Sequence, residues 1–256
     1  MDRRTSNALR AVALAAPLSC GTVAASHSAS VDAARSDSAR DGSGDSDAGC
    51  DSGDPANACI AGVDGIYEVG TALAVDDDNV YWTKEGQVVS EDLIVATPRT
   101  GGNTITVARA TADALSSDGT NVYWGSGEPV AGIFRAPVGG GDVTMLAAAG
   151  LPMCIALDET NVYWTDNSRP SVVATVPKKG GATTTLWAMG PYVPSGIAVD
   201  GANVYWSAGA IMSEPKKGGA VVTLLPPSQG VPGSCGDLAL SDGMLFFTSV
   251  NMDYTA

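Results

Sequence analysis

The chain has 256 residues, 45% of them hydrophobic, with 14 Lys plus Arg against 28 Asp plus Glu and a net charge of −14. That acidity excludes a nucleic-acid partner, whose binding needs Lys and Arg to displace condensed counterions. The single histidine, His27, lies in a Ser/Ala-rich stretch, so His-based triads, His-rich zinc sites and imidazole proton shuttles are excluded from the folded part.

The first residues read as an export signal over 1–19. Arg3, Arg4 and Arg10 form a basic region, residues 11–18 a short apolar one, and small residues with Cys20 follow. Apart from 11–18, no apolar run approaches the roughly 20 residues that span a bilayer, which excludes a polytopic membrane protein. The string PLSCG at 17–21 resembles a bacterial lipobox, which implies lipidation at Cys20 after cleavage. It departs from that pattern because Leu18 sits one place nearer the cysteine and Pro17 takes the leucine's place. Cleavage near Ala24 or Ala25 by an ordinary signal peptidase is the other route to export.

Residues 20–58 are rich in Ser, Ala, Asp and Gly. Such a composition buries too little apolar surface to offset the entropy of ordering, so a solvated linker is expected. Its aspartates lack the spacing of a calcium loop. Beyond Cys20 the cysteines are Cys50, Cys59, Cys154 and Cys235. In an exported chain they suit two disulfides, and of the three pairings 50 with 59 and 154 with 235 is expected.

The rest, 59–256, is governed by a repeat. NVYW recurs at 79–82, 121–124, 161–164 and 203–206, which places Trp82, Trp124, Trp164 and Trp206 at an almost constant spacing. A degenerate fifth copy places Phe247 one further period on. Units start near 73, 115, 155, 197 and 238, the first four with the apolar-to-Asp runs LAVD, LSSD, IALD and IAVD. A glycine pair follows each full copy, at 101–102, 139–140, 180–181 and 218–219.

Each unit parses into four strands: an LAVD-like strand, a tight turn, an NVYW-like strand, a third strand ending at the Gly-Gly turn, and a fourth. Four antiparallel strands at a period of roughly 40 residues predict an all-β fold, a β-propeller of four-stranded blades, with a stacked solenoid as the alternative. Val, Tyr and Trp in succession suit a strand covered on both faces, so the aromatics are expected to pack blade against blade. The fifth unit stops after two strands. A hairpin signal at 59–70, turning at Asp64 and Gly65, predicts that the ring closes at five blades with strands from both termini.

YWTD at 163–166 resembles the propeller repeats of low-density-lipoprotein-receptor-type proteins, and the wider pattern is similar to that of exported bacterial propeller lipoproteins. The other copies read YWTK, YWGS and YWSA, so the inter-blade role that the resemblance implies for the motif's aspartate falls on Asp166 alone.

A propeller's function usually sits in the loops of one face. Candidate binding groups there are Glu85, Glu128, Asp166, Asn167, Arg169 and Tyr192. On the opposite face Arg99, Lys178, Lys179, Lys216 and Lys217 flank the Gly-Gly turns and are expected to be solvated. With no catalytic constellation in view, the expectation is an exported, lipid-anchored or secreted, non-enzymatic binding module. It would act as a monomer toward a protein or glycan, without a cofactor and touching a membrane only through an N-terminal anchor. The competing reading is a hydrolase or lyase with calcium held by Asp, Glu and Asn oxygens in the channel. It is weakened because related propeller lyases use histidine.

Overall fold

The structure, a computed structural model, describes residues 13–14, 72–84, 86, 91–188, 190, 192–226 and 235–249. Strand β1 (Ala13–Leu14) belongs to the last sheet and is taken up there. The first blade is β2 (Leu73–Val75), β3 (Asn79–Lys84), β4 (Leu93–Pro98) and β5 (Ile105–Arg109). The second is β6 (Ala114–Ser117), β7 (Asn121–Ser126), β8 (Gly132–Pro137) and β9 (Thr144–Ala147). The third is β10 (Pro152–Leu157), β11 (Asn161–Asp166), β12 (Val172–Pro177) and β13 (Thr184–Ala188). The fourth is β14 (Ile197–Val199), β15 (Asn203–Ser207), β16 (Ile211–Pro215) and β17 (Val222–Leu225). Each is an antiparallel meander in chain order.

Packing of one blade on the next follows from the NVYW strand. Its alternate side chains point to opposite faces, and both faces are covered. Val122, Trp124 and Ala136 of blade two pack on Tyr81, Ile94 and Ala96 of blade one. Val162, Trp164 and Val176 of blade three pack on Tyr123 and Ile133 of blade two. Val204 and Trp206 of blade four pack on Tyr163 and Val173 of blade three. Thus valine and tryptophan face the preceding blade and tyrosine the following one. Trp124, Trp164 and Trp206 are fully buried, whereas Val80 and Trp82 of the first blade, pointing away from blade two, are half-buried. The first strands pack side by side in chain order, β2 on β6, β6 on β10 and β10 on β14. The fold is a β-propeller.

The fifth sheet holds β18 (Cys235–Ser241) and β19 (Met244–Ser249), and β18 packs on β14. Leu238, Leu245 and Phe247 cover Tyr205 and Ile211 of blade four. The outer edge of β19 is taken by β1, parallel, with Ala13 opposite Phe247 and Leu14 opposite Thr248. A short piece of the segment read as an export signal thus occupies the edge for which the 59–70 hairpin was expected. An unpaired strand edge offers free N–H and C=O groups, and an apolar segment can satisfy them. The hairpin itself lies outside the described residues, as do Cys20, Cys50, Cys59 and the linker.

Two details differ from the sequence reading. In blade two the left-handed glycines are Gly140 and Gly141, not 139 and 140. The turn is set by its proline: Gly101, Gly140, Gly180 and Gly218 each donate their N–H to the carbonyl of the proline that ends the third strand, Pro98, Pro137, Pro177 and Pro215. Counting from the proline, Gly139 takes the place of Thr100, Lys179 and Lys217. The second detail is a register shift in the pairing of third and fourth strands in all four of these blades, where Val107, Leu146, Leu186 and Leu224 are the extra residues on the fourth strand. Such bulges increase local strand twist.

Candidate functional site

Each blade presents two working ends. At one end the first hairpin turns, and an aspartate organises it. Asp118 Oδ1 accepts the N–H groups of Thr120 at 3.0 Å and Asn121 at 2.8 Å, closing the turn, while Oδ2 accepts the Tyr123 hydroxyl at 3.0 Å. The same set recurs at Asp76 with Asp78, Asn79 and Tyr81. It recurs at Asp158 with Thr160, Asn161 and Tyr163, and at Asp200 with Ala202, Asn203 and Tyr205. An acidic residue three places before Asn and five before Tyr is therefore a built unit, in which the carboxylate is divided between two amides on one oxygen and a phenol on the other.

Across two of the seams a lysine joins that unit. Lys178 of blade three reaches Asp118 Oδ2 at 2.8 Å and lies 5.3 Å from the centre of the Tyr123 ring. Lys216 of blade four reaches Asp158 Oδ2 at 2.8 Å and lies 5.6 Å from the Tyr163 ring centre. In the equivalent place blade two has Val138, and Asp76 instead accepts the Ser117 hydroxyl at 2.6 Å. Burial alone would raise these carboxyl pKa values. The hydrogen bonds from lysine, serine, phenol and backbone outweigh it and hold Asp76, Asp118, Asp158 and Asp200 below the ordinary carboxylate range. Burial, reinforced by the neighbouring carboxylate, pushes Tyr81, Tyr123 and Tyr163 up to about 12.

The lysines expected on a solvated rim therefore divide. Lys178 and Lys216, with side chains 12% and 15% exposed, are inter-blade clasps, and Lys179 and Lys217 are exposed. Inside the clasps lie two grooves that share the 158–160 turn. One of about 430 Å³ runs between Leu157–Thr160 and Val199–Gly201 beside Lys216, and one of about 480 Å³ runs between Ser116–Thr120 and Leu157–Glu159 beside Lys178. Among the described residues no three His, Cys, Asp or Glu side chains converge as metal ligands.

At the other end are the loops singled out for binding. Asp166, the aspartate of YWTD, is buried, and its carboxylate accepts the N–H groups of Gly150 at 2.8 Å, Leu151 at 3.0 Å and Ser168 at 2.8 Å. It braces the connection between blades two and three, aided by the Asn167 N–H on the Leu151 carbonyl at 2.8 Å. Burial raises the Asp166 pKa, but these bonds carry it below the ordinary range. Its oxygens are committed inside the fold. Glu128 and Arg169 are exposed on equivalent hairpins of consecutive blades, each preceding a proline. The Glu128 carbonyl accepts the Thr111 and Ser126 hydroxyls. Tyr192 is 41% exposed and lies over Gly209, whose left-handed backbone has no side chain to displace the ring. Glu85 lies outside the described residues. Val130, Leu151 and Val193 add exposed apolar surface on this end at 58%, 40% and 47%.

Residues that the sequence reading did not single out hold the entrance to the blades. Thr83, Thr165 and Ser207, each directly after the tryptophan, accept the N–H groups of Ala72, Cys154 and Gly196 on the incoming first strand. A hydroxyl in three of four repeats at that place is the signal that marks them; the second repeat has Gly125. Cys154 is disulfide-bonded; the pairing expected for it and for the other cysteines rests on side chains outside the described set.

No protein-family model and no curated protein matches the chain. Among solved structures it is similar to a chain of the nidogen/laminin complex, at 23% identity and a TM-score of 0.58, covering 71% of this chain and 72% of that one. It is also similar to a gluconolactonase from Xanthomonas campestris, at 15% identity and a TM-score of 0.55, covering 69% and 68%. A third is the putative TolB of Agrobacterium tumefaciens, at 16% identity and a TM-score of 0.54, covering 74% and 73%. At these identities the likeness concerns the fold, and it agrees with a β-propeller.

Proposed function

We propose that the protein is an exported, non-enzymatic interaction module that presents the face built from its strand-two-to-three and strand-four-to-one loops to a protein partner. The observation that carries this reading is the group of exposed apolar side chains on that face, Val130, Leu151, Tyr192 and Val193, with the loop of Leu151 braced from within by Asp166 and the one ahead of Ser195 by Thr165. Exposed apolar surface on a rigid support is the usual mark of a contact site. The structural likeness to a chain of the nidogen/laminin complex supports the same reading. Export by the N-terminal segment, with cleavage and lipidation at Cys20, would place the module in the cell envelope and remove Ala13–Leu14 from the edge of β19.

The test is capture of a partner from envelope extracts by the immobilised chain, compared with a Leu151→Asp, Val193→Asp variant that melts at the same temperature. A partner retained by the parent and lost by the variant supports the proposal. Equal retention by both, or none by either, overturns it.

A further inference from the structure

Two of the four aspartate–tyrosine units hold a lysine ammonium, and a third holds a serine hydroxyl. In the fourth, Asp200 Oδ1 accepts Ala202 and Asn203 N–H groups at 2.7 Å each and Oδ2 accepts the Tyr205 hydroxyl at 2.8 Å, as in the lysine-bound pair. By the pattern of Lys178 and Lys216, which come from the blades that follow their aspartates, the cation for this unit would come from the fifth sheet. Neither the described residues of that sheet, 13–14 and 235–249, nor the rest of 218–256 contain a lysine or arginine. Lys216, bound to Asp158, acts on Asp200 through space, and Asp200 is exposed.

We propose that Asp200 and Tyr205 form a recognition notch for a lysine side chain of a protein partner. The sibling units fix the geometry: the ammonium sits 2.8 Å from Oδ2 and 5.3 to 5.6 Å from the ring centre. A cation at that distance from a tyrosine ring is also attracted by its quadrupole. The same geometry selects lysine over arginine. Both amide donors of the turn take Oδ1, so one oxygen remains, and a guanidinium, which gains most from a two-pronged carboxylate, finds one prong. The chain's charge of −14 favours approach of a basic partner. This notch lies at the end opposite the loop face, so it stands whether or not the loop-face reading does.

The test uses the full chain with 13C-labelled tyrosine and follows the Tyr205 ring resonances as Nα-acetyl-lysinamide is added. A saturable shift is expected, weakened about tenfold or more by Nε-acetylation of the probe, which removes the charge-assisted bond. The shift should vanish in Asp200→Asn, which keeps the turn's amide acceptor. Tyr123 and Tyr163 stay still because their ammonium places are filled. Lys216→Ala then opens the Asp158 unit, and Tyr163 becomes responsive. The proposal is overturned if Tyr205 does not shift, if the shift survives Asp200→Asn, or if the acetylated probe or the arginine analogue binds equally. Putrescine tests the other source of an alkylammonium: tenfold tighter binding than the lysine probe overturns a protein lysine as the occupant.

Discussion

Lys178 of the third blade rests its ammonium on Asp118 of the second at 2.8 Å, with both side chains largely withdrawn from solvent. The pair works across a seam whose core is apolar, and Arg135 Nη1 adds a second polar contact, to the Lys178 carbonyl at 2.8 Å. Removing the ammonium leaves the carboxylate with its amide and phenol donors but no cation. Lys178→Ala and Lys216→Ala are each expected to cost about 1 kcal/mol. For a domain of this size that lowers the melting temperature by about 2–4 °C. Lys179→Ala and Lys217→Ala, on exposed neighbours, are expected to change it little. Calorimetry of the four variants checks the division.

The titrating groups of these units bound the stability from both sides. Asp76, Asp118, Asp158 and Asp200 have folded-state values below their unfolded value near 3.8. Their contribution is complete above that value and is lost as pH falls through the folded ones. Tyr81, Tyr123 and Tyr163 are raised from 10.0 to about 12. Theirs is complete below pH 10 and is lost as pH rises toward 12. A stability profile measured by denaturant melts should fall on the acid side below about pH 4 and on the alkaline side above about pH 10. Tyr163→Phe should flatten the alkaline limb.

Glu214, on β16, is 8% exposed, and its Oε2 has no hydrogen-bond partner. Burial raises its pKa, partly opposed by the Gly219 N–H. Ala136 and Val176 hold the equivalent place in blades two and three, opposite Val122 and Val162 as Glu214 is opposite Val204. A raised folded-state value means that the group favours the fold below its unfolded value and that this is lost as pH rises through the folded one. At neutral pH Glu214→Gln is therefore expected to raise the melting temperature, and less so near pH 4. Melts of parent and variant at both pH values decide it.

Asp166 gathers the backbone N–H groups of Gly150, Leu151 and Ser168. Asp166→Ala is expected to cost about 2–3 kcal/mol, because bonds to a charged acceptor are strong. It should also speed amide hydrogen exchange at Gly150, Leu151 and Ser168 while leaving the Asp200 turn unchanged. Exchange at these amides is the readout.

The blade plan was legible because NVYW repeats with a fixed phase. Val122, Tyr123 and Trp124 are all large and apolar, which only a strand buried on both faces explains, and the structure covers both. The bulge in each fourth strand was not legible, since Leu146 looks like an ordinary strand residue. Lysines at 178 and 216 read as surface turns because the aspartates they meet, Asp118 and Asp158, lie more than one whole repeat earlier in the chain. Local pattern carries no information about a partner one blade away. Asp166 was visible as part of a motif, but its burial depends on Gly150 leaving room beside Ser168, where a Cβ would come within 2.6 Å. The placement of Ala13–Leu14 on β19 had no sequence signal, since pairing through the backbone requires only an extended segment.

The ion-pair clasps are directional fasteners. Each draws a lysine backward onto the preceding blade, and they secure blade two to three and three to four. At the junction of four with five the described packing is apolar, with Leu238, Leu240, Leu245 and Phe247 of the last sheet against Tyr205 and Ile211. A load applied through the C-terminal strands would therefore meet a greasy joint first and a riveted one second. Among these three seams the four-to-five junction is the one without an ion pair among the described residues, so it would part before the two clasped ones, by a margin of about 1 kcal/mol per clasp.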